Sequence, residues 1–252
     1  MPGGLVDLCY VDPPAFLENG DSYVMAKRKY ESVSRAKSEG LETYTEWLRF
    51  RLAEIHRVLR PGGVLYCHIH KNCTHYIKLI LDQIFGRFNF KNDITLLTAV
   101  SDSLTATSKR KKNFVWSSES ILLFTKRKSV SCNRYMEKEV VTFNPLRKRR
   151  ADLRCDPDER HDPYDIANNG RLLNDVWADI WRPYTGMRDR IWPEQKPEEL
   201  LKRIISASTN EGDVVLDPFI GCGTTKRVAE KLDREWIGID NSPEAIALAS
   251  KS

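Results

Sequence analysis

Residues 214–225 read VVLDPFIGCGTT. An apolar run ends in an acid and a proline, Asp217 and Pro218. Phe219 and a glycine pair, Gly221 and Gly223, follow, and the chain then turns helical at Thr224 and Thr225. The pattern predicts a buried strand, a tight turn and the first turn of a helix. Glycine lets a ligand approach the backbone closely, and a helix N-terminus offers unpaired N–H groups. A Gly-x-Gly turn alone fits many plain strand-to-helix junctions, and no Gly-Lys-Ser/Thr follows to make it a phosphate loop. The next strand sharpens the reading. EWIGID places Asp240 at its end, 23 residues after Asp217, with Asn241 beside it. Nucleoside and dinucleotide folds hold a ribose with an acid at that position. The other reading of Asp240 is a cap for the helix near 243. Both features together favour a nucleoside cofactor.

Working outward, SPEAIALAS predicts a helix capped by Ser242. Residues 197–207 predict another, with Pro197 in its first turn. Towards the N-terminus, LVDLCYV (5–11) is a buried strand and 17–40 a polar, irregular loop. Apolar residues from Tyr44 to Leu59 keep helical spacing, and Pro61-Gly62-Gly63 is expected to stop that helix before the strand GVLYCHI. Residues 74–85 predict a helix, and ITLLTAV and SILLFTK two more strands. No element is predicted over 129–190. Strand–helix alternation argues for an α/β domain whose sheet is parallel, with helices on both faces.

The chain has 252 residues and a net charge of +5, unevenly spread. Residues 1–86 and 151–252 carry +1 and −6, whereas 87–150 holds 15 basic and 5 acidic residues. SKRKKNF, TKRKS and LRKRR lie in that middle part. One charge run is ordinarily a solvated face; three in one segment favour a polyanion. Lys109, Arg110, Lys111 and Lys112, with Arg147, Lys148, Arg149 and Arg150, are the candidate phosphate contacts. Six scattered cysteines without a Cys-x-x-Cys pair read as reduced thiols of a cytoplasmic protein. No apolar run reaches the roughly 18 residues of a membrane helix, and MPGGLVDL is not a signal peptide. CHIHKNCTH (67–75) gathers His68, His70, Cys73 and His75, but without the paired spacing of a structural zinc site. No metal is expected there. His68 and His70 would alternate onto one strand face near the cleft.

The first strand ends in Asp12-Pro13-Pro14. With DPFIGCGTT, WIGID and the QKP of Gln195, Lys196 and Pro197, this order resembles the β-class of S-adenosylmethionine-dependent DNA amino-methyltransferases, including the type III modification subunits. The resemblance spans nearly the whole chain. It implies a Rossmann-like class I sheet with permuted strand order: a catalytic half (1–86), a basic target-recognition insertion with some core strands (87–190) and a cofactor half (191–252). It implies S-adenosylmethionine bound by Asp217, Pro218, Phe219, Gly221, Gly223, Thr224, Thr225, Asp240, Asn241, Gln195, Lys196 and Pro197. It also implies double-stranded DNA as substrate, with a homodimer and a restriction subunit as candidate partners. The Asp12 carboxylate and the Pro13 carbonyl would accept the two N–H bonds of an exocyclic amine, adenine N6 or cytosine N4, in a base turned out of the duplex. The rigid double proline would hold these acceptors ready.

Two departures stand out. Ala15 sits where the family carries Tyr or Phe to stack on the base, which leaves Phe16 as the candidate ring. Relatives usually have a strand before the DPP strand; here either the sequence starts late or the sheet has one strand fewer. Three alternatives stay open: an amine methyltransferase acting on RNA or protein, a homologue that binds DNA without transfer, and, ranked last, a Rossmann oxidoreductase.

Overall fold

Seven strands share one sheet in the computed structural model, which describes residues 1–14, 40–97, 117–127, 174–180 and 195–251. The chain runs β1 (Val6–Val11), α1 (Leu41–Val58), β2 (Leu59–Ile69), α2 (Thr74–Phe85) and, after a short 3₁₀ turn, β3 (Phe90–Leu97). β4 (Ser118–Thr125), β5 (Val176–Trp177), α3 (Glu198–Ser208), β6 (Val214–Asp217), α4 (Thr224–Lys231), β7 (Glu235–Gly238) and α5 (Pro243–Lys251) follow. Their order across the sheet is β5-β3-β4-β2-β1-β6-β7.

Two apolar layers sandwich this sheet. Cys9, Val11, Leu65, Cys67, Leu122 and Phe124 face α1 and α2, whose Leu48, Leu52, Ile77 and Leu81 are fully buried. On the other face Leu8, Tyr10, Tyr66, Ile121 and Val215 meet Leu200, Leu201, Ile204 and Ile205 of α3 and Val228 of α4. The alternation within each strand is the period of two that pleating imposes.

Two expectations need correction. The sheet is mixed, not parallel: β4 runs antiparallel to both β2 and β3. It is buried from Ser120 to Thr125, and a strand covered on both faces reads as an apolar run whichever way it points. Pro61-Gly62-Gly63 does not lie between helix and strand either. α1 ends at Val58, and β2 already pairs at Leu59, opposite Val6, before the register shifts to Leu8 opposite Val64. The three residues form an irregularity inside β2. A Cβ on Gly63 would sit 3.0–3.1 Å from the carbonyl oxygens of Arg60, Asp7 and Val6, so the turn closes only around glycine. β5 was not foreseen; two residues give no period to read.

Lys126, part of one basic run, serves the fold. Its Nζ donates to the carbonyls of His56 (2.7 Å) and Leu59 (2.8 Å), closing the C-terminal end of α1.

Candidate active site

β1 and β6 are parallel neighbours, with Cys9 opposite Leu216. From β1 the chain crosses to β2 on one side; from β6 it crosses to β7 on the other. The pair therefore marks the point where winding reverses, and a crevice opens beyond the carboxyl ends of such strands. Asp12, Pro13 and Pro14 follow β1, and Asp217 closes β6. Residues 205 positions apart thus share one edge of the sheet. Asp12 is close enough to help raise the Asp217 pKa.

The turn after β6 is built around Asp217, which is 3 % exposed. Its carboxylate accepts the Phe219 N–H at 3.0 Å and the Thr225 hydroxyl, so one acid ties both ends of the turn. Burial, above all, pushes this carboxyl up to about 7; the two hydrogen bonds oppose the shift, and Asp12 and Asp240 add to it. Gly221 and Gly223 take φ of 53° and 85°, where a side chain is strained. Asp240 accepts from Gly221 N (3.0 Å) and Ser242 N (2.8 Å), which braces the glycine turn against the loop before α5. Ser242 caps α5 through the Ala245 N–H. Asn241 is exposed, and Phe219 packs on Trp47 of α1 with ring centroids 5.9 Å apart.

Gly238 of β7 lies under this turn. A Cβ there would fall 2.1 Å from Ile220 Cδ1 and 3.2 Å from its Cβ and Cγ1. Gly238→Ala must displace Ile220 and the turn it belongs to. The expected cost is roughly 1–3 kcal/mol of stability, together with weaker cofactor binding; urea unfolding and calorimetry read the two effects.

The DPP turn is held from a different element. Tyr44 of α1, 2 % exposed, donates its hydroxyl to the Pro14 carbonyl at 3.0 Å. Lys196 Nζ lies 3.1 Å from Asp12 Oδ1 and 3.8 Å from Glu119 Oε2. Glu119 in turn lies 2.6 Å from His68 Nε2, and Tyr10 OH lies 2.8 Å from His68 Nδ1. Burial, above all, and then Lys196 lower the His68 pKa against the opposing pull of Glu119 and Asp12, and the net lowering favours the neutral ring.

Tyr44, Glu119 and Tyr10 were not singled out from sequence. Glu119 carried a faint signal, as an acid just ahead of the apolar run 121–124. His68 faces this cluster, whereas His70 lies beyond β2 and holds Asn72 at 2.8 Å. Among the described residues no group of three His, Cys, Asp or Glu converges as a metal site. Phe16 and both basic runs, 109–112 and 147–150, lie outside the described residues.

The residues present suit a cationic nucleoside cofactor. Two carboxylates flank a glycine turn, and Gln195 Oε1 is buried without a hydrogen-bond partner, an acceptor suited to an ammonium or hydroxyl donor. A three-layer α/β sheet with these features at its switch point defines a Rossmann-like nucleoside-binding domain.

Comparison with known proteins narrows the class. The model of the N6/N4 DNA methylase family matches residues 6–251. The type II methyltransferase M2.DpnII of Streptococcus pneumoniae is 30 % identical over 98 % of this chain and 81 % of its own length. The DNA adenine methyltransferase YhdJ of Escherichia coli K12 is 32 % identical over 98 % of this chain and 76 % of its own. Among solved structures, the cytosine-N4-specific PvuII DNA methyltransferase superposes with a TM-score of 0.63 at 16 % identity, over 99 % of this chain and 79 % of its own. The chain belongs to the DNA methylase family of amino-methyltransferases, whose methyl donor is S-adenosylmethionine.

Proposed function

We propose that this protein methylates the N6 amine of adenine at specific sites in double-stranded DNA. The observation that carries the reading is the shared edge of Asp12 and the Asp217 turn, which puts an amine acceptor beside a nucleoside site. The name of the YhdJ relative favours adenine over cytosine. S-adenosylmethionine supplies an electrophilic methyl group when bound. Gln195, the 221–223 turn and the carboxylates of Asp217 and Asp240 are the groups proposed to hold it.

The chain's own work concerns the amine. An exocyclic amine is conjugated with its ring and is a poor nucleophile. Asp12 and the Pro13 carbonyl accept its N–H bonds and favour a tetrahedral nitrogen with a free lone pair. The prolines and the Tyr44 hydroxyl fix these acceptors in advance, so no reorganisation is needed during reaction. Phe16 is proposed to stack on the extruded base in place of the ring missing at Ala15.

Residues 87–190, apart from the core strands β3, β4 and β5, are proposed as the target-recognition part, with 109–112 and 147–150 on phosphates. DNA affinity is then expected to fall steeply with salt, and neutralising 109–112 to flatten the slope of log Kd against log salt by about 0.9 per lost contact. Filter binding between low and moderate salt reads this. A restriction endonuclease as companion and a homodimer belong to the same proposal, as does the cytoplasm, where DNA and reduced thiols coexist.

The deciding experiment is methyl transfer from tritiated S-adenosylmethionine to duplex DNA, RNA and peptide, followed by sequencing of modified bases in a host expressing the chain. Label in N6-methyladenine of duplex DNA is expected. Label in N4-methylcytosine would overturn the choice of adenine, and label confined to RNA or peptide, or none at all, would overturn the whole reading.

A further inference from the structure

The polar chain that ends at Asp12 has a direction. An ionised carboxylate only accepts hydrogen bonds, so with Glu119 ionised the His68 ring keeps a proton on Nε2 and donates it in a hydrogen bond to Glu119. In the neutral ring Nδ1 is then an acceptor, and the Tyr10 hydroxyl donates to it. Tyr10 and His68 are 1 % and 2 % exposed, so this row of bonds is fixed in the core between β1, β2 and β4. It fastens Glu119 on the catalytic side of the sheet, within ion-pair range of Lys196, which also reaches Asp12.

Lysine is a compact charge on a flexible stem. Tied to Asp12 alone, the ammonium is free to bridge both carboxylate oxygens and cover the one the amine needs. A second anion on its other side prevents that. We propose that Glu119 is a positioning residue for methyl transfer: by drawing Lys196 towards itself it restricts the ammonium to one oxygen of Asp12 and leaves the other open to the target amine. Tyr10 and His68 hold Glu119 in place. The inference rests on the reading of Asp12 as the amine's acceptor.

Glu119→Gln is the test, because glutamine keeps the volume and can still accept from His68 while losing the charge. It is expected to lower kcat roughly 10–100-fold, the scale of a small misplacement of a catalytic group, with KM for S-adenosylmethionine little changed. Glu119→Asp, which keeps the charge, recovers part of the loss. In a Lys196→Met background the Glu119 substitution should cost nothing further, since its effect passes through the ammonium. An equal loss in both backgrounds overturns the inference.

A second readout needs no turnover. Nitrogen-15 spectra of the unliganded protein should show His68 protonated at Nε2, a preference lost in Glu119→Ala. Protonation at Nδ1 in the wild type also overturns it. Asp12→Ala is run alongside. If that variant stays active, or the wild type transfers nothing, the functional reading falls and takes this inference with it. If Asp12→Ala is inactive but the Glu119 and Lys196 losses are independent, only this inference falls.

Discussion

Asp12→Ala is expected to lower kcat by roughly 10²–10³-fold, the loss seen when one preorganised polar group is removed from a reacting centre. Calorimetry should find cofactor affinity nearly unchanged. The two effects separate because of where the residue sits. Asp12 lies beyond β1, whereas the turn proposed to hold the cofactor is tied together by Asp217 and Asp240. Removing Asp12 takes away an acceptor for the amine and one partner of Lys196. Glu119 remains within reach of that ammonium, and Tyr44 still holds the Pro14 carbonyl, so the DPP turn is expected to keep its shape. Asp12→Asn should also lose activity, since Lys196 would hold the amide oxygen and leave the NH₂ donor on the side of the amine. Full activity in either variant would remove Asp12 from the mechanism. A parallel loss of cofactor binding would move it into the other half of the site.

Asp217→Asn is expected to change how stability depends on pH. Burial raises the Asp217 carboxyl to about 7 in the folded protein. In the unfolded chain an aspartate titrates near its ordinary value of about 3.9. Between these two values the folded state holds a proton that the unfolded state has released. Stability from this group is thus fully present below about 4 and is lost as pH rises through about 7. The loss is on the order of a few kcal/mol, because a shift of one unit corresponds to about 1.4 kcal/mol. Asparagine does not titrate, so the variant should gain on the wild type steadily as pH rises through this window. Urea unfolding of both proteins at four pH values reads the difference, in which titrating groups not coupled to Asp217 cancel; Asp12 and Asp240, which are coupled to it, do not. Parallel curves would mean that Asp217 is ionised in the fold throughout, with Thr225 and Phe219 outweighing burial.

These two acids show how far a sequence reading carries. Asp217 and Asp240 were legible as a cofactor turn because their meaning is local: an acid ends a strand, glycines follow, and a helix begins. What the structure adds is that both carboxylates already hold backbone N–H groups, bracing the turn from within. Lys196 was expected on the cofactor by resemblance; the fold sets it against Asp12 and Glu119. Nothing in the residues around 196 points to 119, because that contact exists only once β4 has slotted beside β2. The same insertion explains the misjudged direction of β4. Its apolar run reports burial on both faces and is silent about polarity relative to a neighbour.

By itself the sequence determined most of the strands and helices, β5 excepted, where the glycine turn falls, and which acid and prolines end the first strand. Those features follow from periodicity and from backbone preferences, which act over a few residues. Only the tertiary structure decided that Asp12 and Asp217 share an edge and that Tyr10, His68, Glu119 and Lys196 form one polar chain. Such contacts depend on which strands become neighbours, and the whole core settles that choice when it packs against both faces of the sheet.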